Sequence, residues 1–362
     1  MSDINIKSDL EVDGTITVTG IISGAFYGDG SGLTNVTPVF NNPIYTDTTV
    51  VSGASFVTND YLLSENSDSN IPTQYAVKAY VDFINRSKGY ASAGYYTTYS
   101  DTIDKFDFSS NTTASDHGNL TRTKSAQNGG ISSLTKGFTV GCFRGSWFED
   151  MDSWDFASNT TASNHGDLTG VKNAGAPAQS LVRGYYAGGT DGGNLNTIES
   201  FDMTSASNAV DHGDLTSTNS VSVGHSSATD GFSSGGNIMG ASTNKYSFAS
   251  NVTASSHASL TTTSLDSAGC GNENYAFIVG GDRSIDTTID KYLFSSSATA
   301  TDHGDLSRSI KRGTGSSSST QGFVSGGDNL NTIEKFDFAS NVTSTGHGGL
   351  TLLRRFLSGH QV

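Results

Sequence analysis

One phrase recurs six times along this 362-residue chain, and nothing else in it constrains the fold as strongly. Asp-His-Gly-Asp-Leu, with small changes, returns around His117, His165, His212, His257, His303 and His347, at spacings of 48, 47, 45, 46 and 44 residues. Upstream of each His lies an alternating pair of large side chains: Phe106 and Phe108, Trp154 and Phe156, Phe201 and Met203, Tyr246 and Phe248, Tyr292 and Phe294, Phe336 and Phe338. Alternation puts both members of a pair on one face, as a half-buried strand requires.

Each unit also carries a short run bounded by glycine, such as Gly184-Tyr-Tyr-Ala-Gly-Gly189 or Gly322-Phe-Val-Ser-Gly-Gly327, and a Ser/Thr-rich stretch after the His. Every unit therefore predicts four strands in about 46 residues, the size of a β-propeller blade. Six units predict six blades across residues 89–362. The first unit opens at Gly89 with its second strand, while the segment 351–362 is left over after the last His. The C-terminal segment is thus expected to supply the strand that blade one lacks. Such pairing closes the ring and removes an open sheet edge.

Composition agrees. Only 15% of residues are charged, and 43 are glycine. Helix surfaces are usually laced with Lys and Glu, so the chain reads as mainly β with many turns. A net charge of -15 argues against nucleic acid as a partner, because phosphate binding needs a basic stripe. No apolar run is long enough to span a membrane, and the first residues lack the pattern of a signal peptide. Cys142 and Cys270 are read as small packing residues, and the sequons at Asn111, Asn159, Asn251 and Asn341 as turn chemistry.

Residues 1–88 lack the repeat. Ile4, Ile6, Leu10, Val12, Ile16 and Val18 alternate with polar residues, so 1–71 reads as a β-rich, short-strand fibrous region serving attachment. One short helix is expected from Pro72 to about Asn85, within a neck at 72–88. Its apolar stripe, Val77, Tyr80, Val81 and Ile84, is the candidate oligomerisation surface.

Several phrases carry a resemblance. Phe26-Tyr-Gly-Asp-Gly-Ser-Gly-Leu-Thr-Asn-Val36 resembles repeat segments of bacteriophage tail fibres, and Ile71-Pro-Thr-Gln-Tyr-Ala-Val-Lys-Ala-Tyr-Val81 is similar to a short helical motif of the same proteins. The double glycine and the phrase from Phe336 to Leu350 resemble kelch-like propellers of virion proteins. The resemblance implies a tail-fibre-like virion protein: a homotrimer held to other virion proteins by its N-terminal region, with a C-terminal propeller turned to a host glycan or protein. It implies localisation in the virion. The alternatives are a non-adhesive virion component, such as a capsid fibre, collar or baseplate element, and then a glycan-degrading enzyme.

Catalytic signatures are thin, and neither an enzyme, a cofactor nor a metal site is expected. The six histidines stand on a ring, one per blade, too far apart to converge on a substrate. They are read as structural turn residues of the repeat. Gly231-Phe-Ser233-Ser-Gly235 fits a nucleophile-elbow pattern but falls in a Gly-bounded strand, without the helix that such an elbow needs. Binding is the better expectation, because loops on a rigid scaffold carry recognition. Two loops are rich in aromatics: Tyr95, Tyr96 and Tyr99, then Phe143, Arg144, Trp147 and Phe148. These seven are the candidate receptor-binding residues.

Overall fold

A computed structural model describes residues 86–362 apart from 283–285 and 329, together with the pairs 57–58 and 71–72. Val57–Thr58 and Ile71–Pro72 form a two-residue ladder, so Pro72 belongs to an extended pair. The rest of the expected helix, with Val77, Tyr80, Val81 and Ile84, lies outside the described residues, as does the remainder of 1–71. Among the described residues there is no helix.

Residues 88–361 form six four-stranded antiparallel sheets arranged as a six-bladed propeller. Blades two to six take their strands in chain order, with first strands at Gly130–Ser132, Ala176–Gln179, Val223–Ser226, Ala268–Gly271 and Thr314–Ser317. Blade one is composite: Ser358–Gln361 pairs antiparallel with Lys88–Ser92, which is followed by Ser100–Asp107 and Ser115–Lys124. The first strands of all six blades touch in sequence around the axis, 358–361 lying between those of blades six and two. The ring is therefore closed by the last residues of the chain.

The core is divided among the blade interfaces. Each of six apolar clusters is shared by two neighbouring blades. The repeat explains how. An aromatic on the second strand stacks on the second member of the next blade's alternating pair. Ring centroids are 4.3 Å apart for Phe323 on Phe108 and 4.5 Å for Phe277 on Phe338. Tyr90 on Phe156, Tyr185 on Phe248 and Phe232 on Phe294 repeat the arrangement, and Met203 takes the place of the ring between blades two and three. Burying the large side chain of each pair contributes on the order of 2 kcal/mol, so the aromatic spacing holds blades to one another as well as strands within a blade.

The six histidines are not turn residues. Each lies in the fourth strand of its blade, as the extra residue of a β-bulge; Ile103 faces Gly118 while Asp104 faces Asp116, leaving His117 between. The bulge turns the imidazole toward the next blade. Nε2–H donates to the carbonyl of Asp155 from His117 (2.9 Å), of Asp202 from His165 (2.7 Å) and of Ser247 from His212 (2.8 Å). His303 reaches Asp337 at 2.8 Å, and His347 crosses the seam to Asp107 at 2.7 Å. The following glycine is needed twice over: Gly348 has φ +148°, and a Cβ there would come 2.3 Å from the carbonyl oxygen of Thr112. Blade four has Ala258 in this place, and there the bond from His257 to Leu293 lengthens to 3.4 Å.

The double glycine ends the second strand in blades three to six, with positive φ at both positions, as at Gly188 (+68°) and Gly189 (+103°). Blade one, which lacks the pair in sequence, reaches the same backbone shape with Ala93 (+60°) and Gly94 (+116°). Both cysteines are free and buried, and burial pushes each thiol up to about 12.

Candidate functional site

Strand direction sorts the connections onto two faces. Second strands run from the tight turns after first strands to the longer loops before third strands. In blade one, Lys88–Ser92 has the chain entry at one end and the loop with Tyr95, Tyr96 and Tyr99 at the other. Val362 also sits at the entry end, bonded to Ser87 and Lys88. Residues 86–88 thus lead into the propeller on the turn face, and the aromatic loops stand on the opposite one.

Four of the seven candidate residues, Tyr95, Tyr99, Phe143 and Trp147, are brought together, whereas Phe148 packs against the core between blades one and two. In blade two, Cys142–Phe143 and Trp147–Phe148 pair into a small hairpin of their own. Phe143 N and Ser125 N exchange backbone bonds with each other's carbonyls at 2.9 and 3.0 Å, which fixes this hairpin to the end of blade one. The blade-one loop is fixed likewise, through two bonds between the backbones of Tyr95 and Arg355. Between the loops, the backbone N–H of Gly145 donates to the hydroxyl of Tyr99 at 3.1 Å. The rings form a continuous row: Tyr95 to Tyr99 at 5.0 Å, Tyr99 to Phe143 at 6.3 Å, and Phe143 to Trp147 at 5.4 Å. Trp147 continues onto the blade-three loop, where its indole lies against Gly192.

Tyr96, in the same loop as Tyr95 and Tyr99, has 46% of its surface exposed, and Arg144 is exposed on the blade-two hairpin. Arg355 lies 5.7 Å from the ring centre of Tyr95 and pairs with Asp328 at 3.0 Å; Arg122 lies 5.2 Å from that of Phe148 and 3.6 Å from Asp150. Cation–π contacts of this kind hold aromatic faces in place. The surface is a supported ledge of rings rather than an enclosed pocket.

A concave feature lies on the axis. Gly130, Pro177, Gly224, Gly269, Gly315 and Gly359 line a narrow channel. At its loop end the Asn128 amide reaches across, donating to the carbonyls of Ser222 (3.2 Å) and Ser267 (3.3 Å). Near the turn end the backbone N–H of Ser317 donates to the Gln361 side chain (3.0 Å), and Gly271 N–H to the Ser317 hydroxyl (2.9 Å). These bonds tie first strands together around the axis.

Charged groups inside the fold also serve blade cohesion. An acid or amide thirteen residues before each repeat His, namely Asp104, Asp152, Glu199, Asn244, Asp290 and Glu334, accepts a hydroxyl hydrogen bond from the preceding blade. The donors Thr351, Thr121, Thr169, Thr216, Thr261 and Ser307 stand four residues after a repeat His. Seven residues after it, Arg354, Lys124 and Lys172 complete buried ion pairs with Asp104, Asp152 and Glu199. Burial alone would lower Lys124, but Asp152 and Asp150 outweigh it and hold the ammonium above its ordinary range. These offsets are present in the sequence, but they are polar spacings to which hydrophobic periodicity is blind.

Ser233 of the Gly-X-Ser-X-Gly match is fully buried in the strand Asp230–Ser234, so no exposed nucleophile results. Among the described residues no three His, Cys, Asp or Glu side chains are placed to hold a metal ion. Fold and site together define a six-bladed β-propeller with an aromatic ledge on its loop face. Compared with known proteins, the chain matches no family model and no curated sequence.

Proposed function

We propose that this protein is a bacteriophage virion appendage, tail-fibre-like, whose propeller adheres to the host surface without catalysis. One observation carries the reading: the aromatic loops of blades one and two converge into one ledge on the face opposite the chain entry. A stem entering on the turn face leaves that ledge outward. The tail-fibre-like phrases from Phe26 to Val36 and from Ile71 to Val81 support such a stem, with the stripe Val77, Tyr80, Val81 and Ile84 joining three copies. Three weakly binding heads on one stem gain effective concentration without any new contact. The test is adsorption of the purified protein to the bacterium that the virion infects. Trp147→Ala combined with Tyr96→Ala abolishes adsorption while leaving the melting temperature unchanged; undiminished adsorption removes the ledge as the receptor site.

A further inference from the structure

Resting on that reading of the ledge, we propose that its ligand is an uncharged linear oligosaccharide, laid ring by ring from blade one toward blade three. The geometry favours an occupant that stacks over one that plugs. Successive ring centres are 5.0, 6.3 and 5.4 Å apart from Tyr95 to Trp147, on the scale of single sugar rings, with planes inclined by 53°, 63° and 64°, so a chain crossing them meets ring faces and ring edges in turn. A peptide anchor instead seeks a desolvated pocket around one side chain, and the axial pocket lies among the first strands, away from this row.

Polar groups stand where sugar hydroxyls would need them. Thr97 and Thr98 are exposed between the tyrosines, and Asp191 is exposed next to Gly192, against which Trp147 rests. One Asp191 oxygen accepts the backbone N–H of Gly193 at 3.1 Å, which orients the carboxylate. A planar carboxylate at the edge of an indole can accept two hydroxyl hydrogens while the ring carries the apolar face of the same sugar.

Charge selects against an acidic polymer. The loops 93–99 and 140–149 contain a single cation, Arg144, and a single anion, Glu149, both exposed. The neighbouring cations Arg122 and Arg355 are engaged with Asp150 and Asp328. An anionic chain would therefore meet no surplus of positive charge here, on a protein of net charge -15.

The chain carries its own reporter. Of its two tryptophans, Trp154 is 3% exposed within the core, so ligand-induced changes in fluorescence come from Trp147. The full-length protein is titrated with neutral linear hexasaccharides of glucose, mannose and N-acetylglucosamine, and with an oligouronic acid as the anionic probe. A saturating change with at least one neutral hexasaccharide is expected, and none with the uronic acid. Calorimetry on Trp147→Ala and on Tyr96→Ala, each first shown to melt at the parent temperature, is expected to show at least a tenfold loss of affinity. Silence with all three neutral sugars, a response to the acidic probe alone, or unchanged affinity in both variants overturns the proposal. Adsorption to cells that depends on Trp147 while all sugars are silent would overturn the glycan and leave adhesion standing. Sugar binding with Trp147-independent adsorption would do the reverse.

Discussion

The guanidinium of Arg354 lies 2.5 Å from the carboxylate of Asp104, joining the C-terminal segment to the third strand of blade one across the seam of the ring. Both groups are buried, and Arg354 also donates to the carbonyls of Ala93 (2.7 Å) and Thr102 (2.8 Å). Residues 250 positions apart in sequence are thereby joined at the point where the chain closes on itself.

Removing one partner of such a pair strands a buried charge, which costs about 3–5 kcal/mol. Arg354→Met is therefore expected to lower the denaturant midpoint strongly. Adding Asp104→Asn to it restores a large part of the loss, because the amide still accepts from Thr351 and carries no charge. Equal stability of the single and double variants, measured by urea unfolding, would show that the pair is not coupled.

Deleting residues 351–362 removes the latch and the strand 358–361 together. It exposes the edge of Lys88–Ser92, a template for pairing with another chain. The truncated protein is expected to be insoluble or aggregated. A monodisperse truncated species in size-exclusion chromatography would contradict the closure described above.

Acid should loosen the ring. Burial pushes His225 and His360 down to about 4, and also lowers His117, His257, His303 and His347. His360 is fixed as the neutral form, with Nδ1–H donating to Ile131 O at 3.1 Å and Nε2 accepting from Ser92 at 3.0 Å. Between the ordinary histidine value of 6.5 and about 4 the unfolded chain binds more protons than the folded one. Stability is therefore full above pH 6.5 and falls as the pH drops through this window, by about 1 kcal/mol per pH unit for His225 and for His360. Melting temperatures recorded from pH 7.5 to 4.5 test this. His360→Gln is expected to reduce the slope, and a flat profile in the parent protein would exclude buried neutral histidines.

The bulge glycine gives a local test of the blade-to-blade bond. Gly348→Ala places a Cβ against Thr112 O in a backbone region that alanine rarely adopts, a strain of about 1–3 kcal/mol. Gly346→Ala, with open space around its Cβ position, is the matched control and should change stability by less than about 1 kcal/mol. Similar thermal shifts in the two variants would mean that close approach at the bulge does not limit stability.

Much of this architecture was legible in the chain. Six spaced copies of a strand pattern, with one strand missing at the start and one left over at the end, determine a six-bladed ring closed by the C-terminus. Local alternation and glycine placement report strands and turns directly, and the aromatic loops could be picked out because they interrupt the repeat. What the histidines do was decided only by the tertiary structure. Asp-His-Gly reads as a turn, yet the bulge aims each ring at a carbonyl 34 to 38 residues further on, or across the seam. The latch between Arg354 and Asp104, the crossing of the channel by Asn128, and the union of Tyr99, Phe143 and Trp147 into one row have the same origin. Each depends on how one blade meets the next, a relationship that exists only after the sheets have packed. A periodic sequence specifies the blade, and packing around the axis specifies which side chains meet between blades.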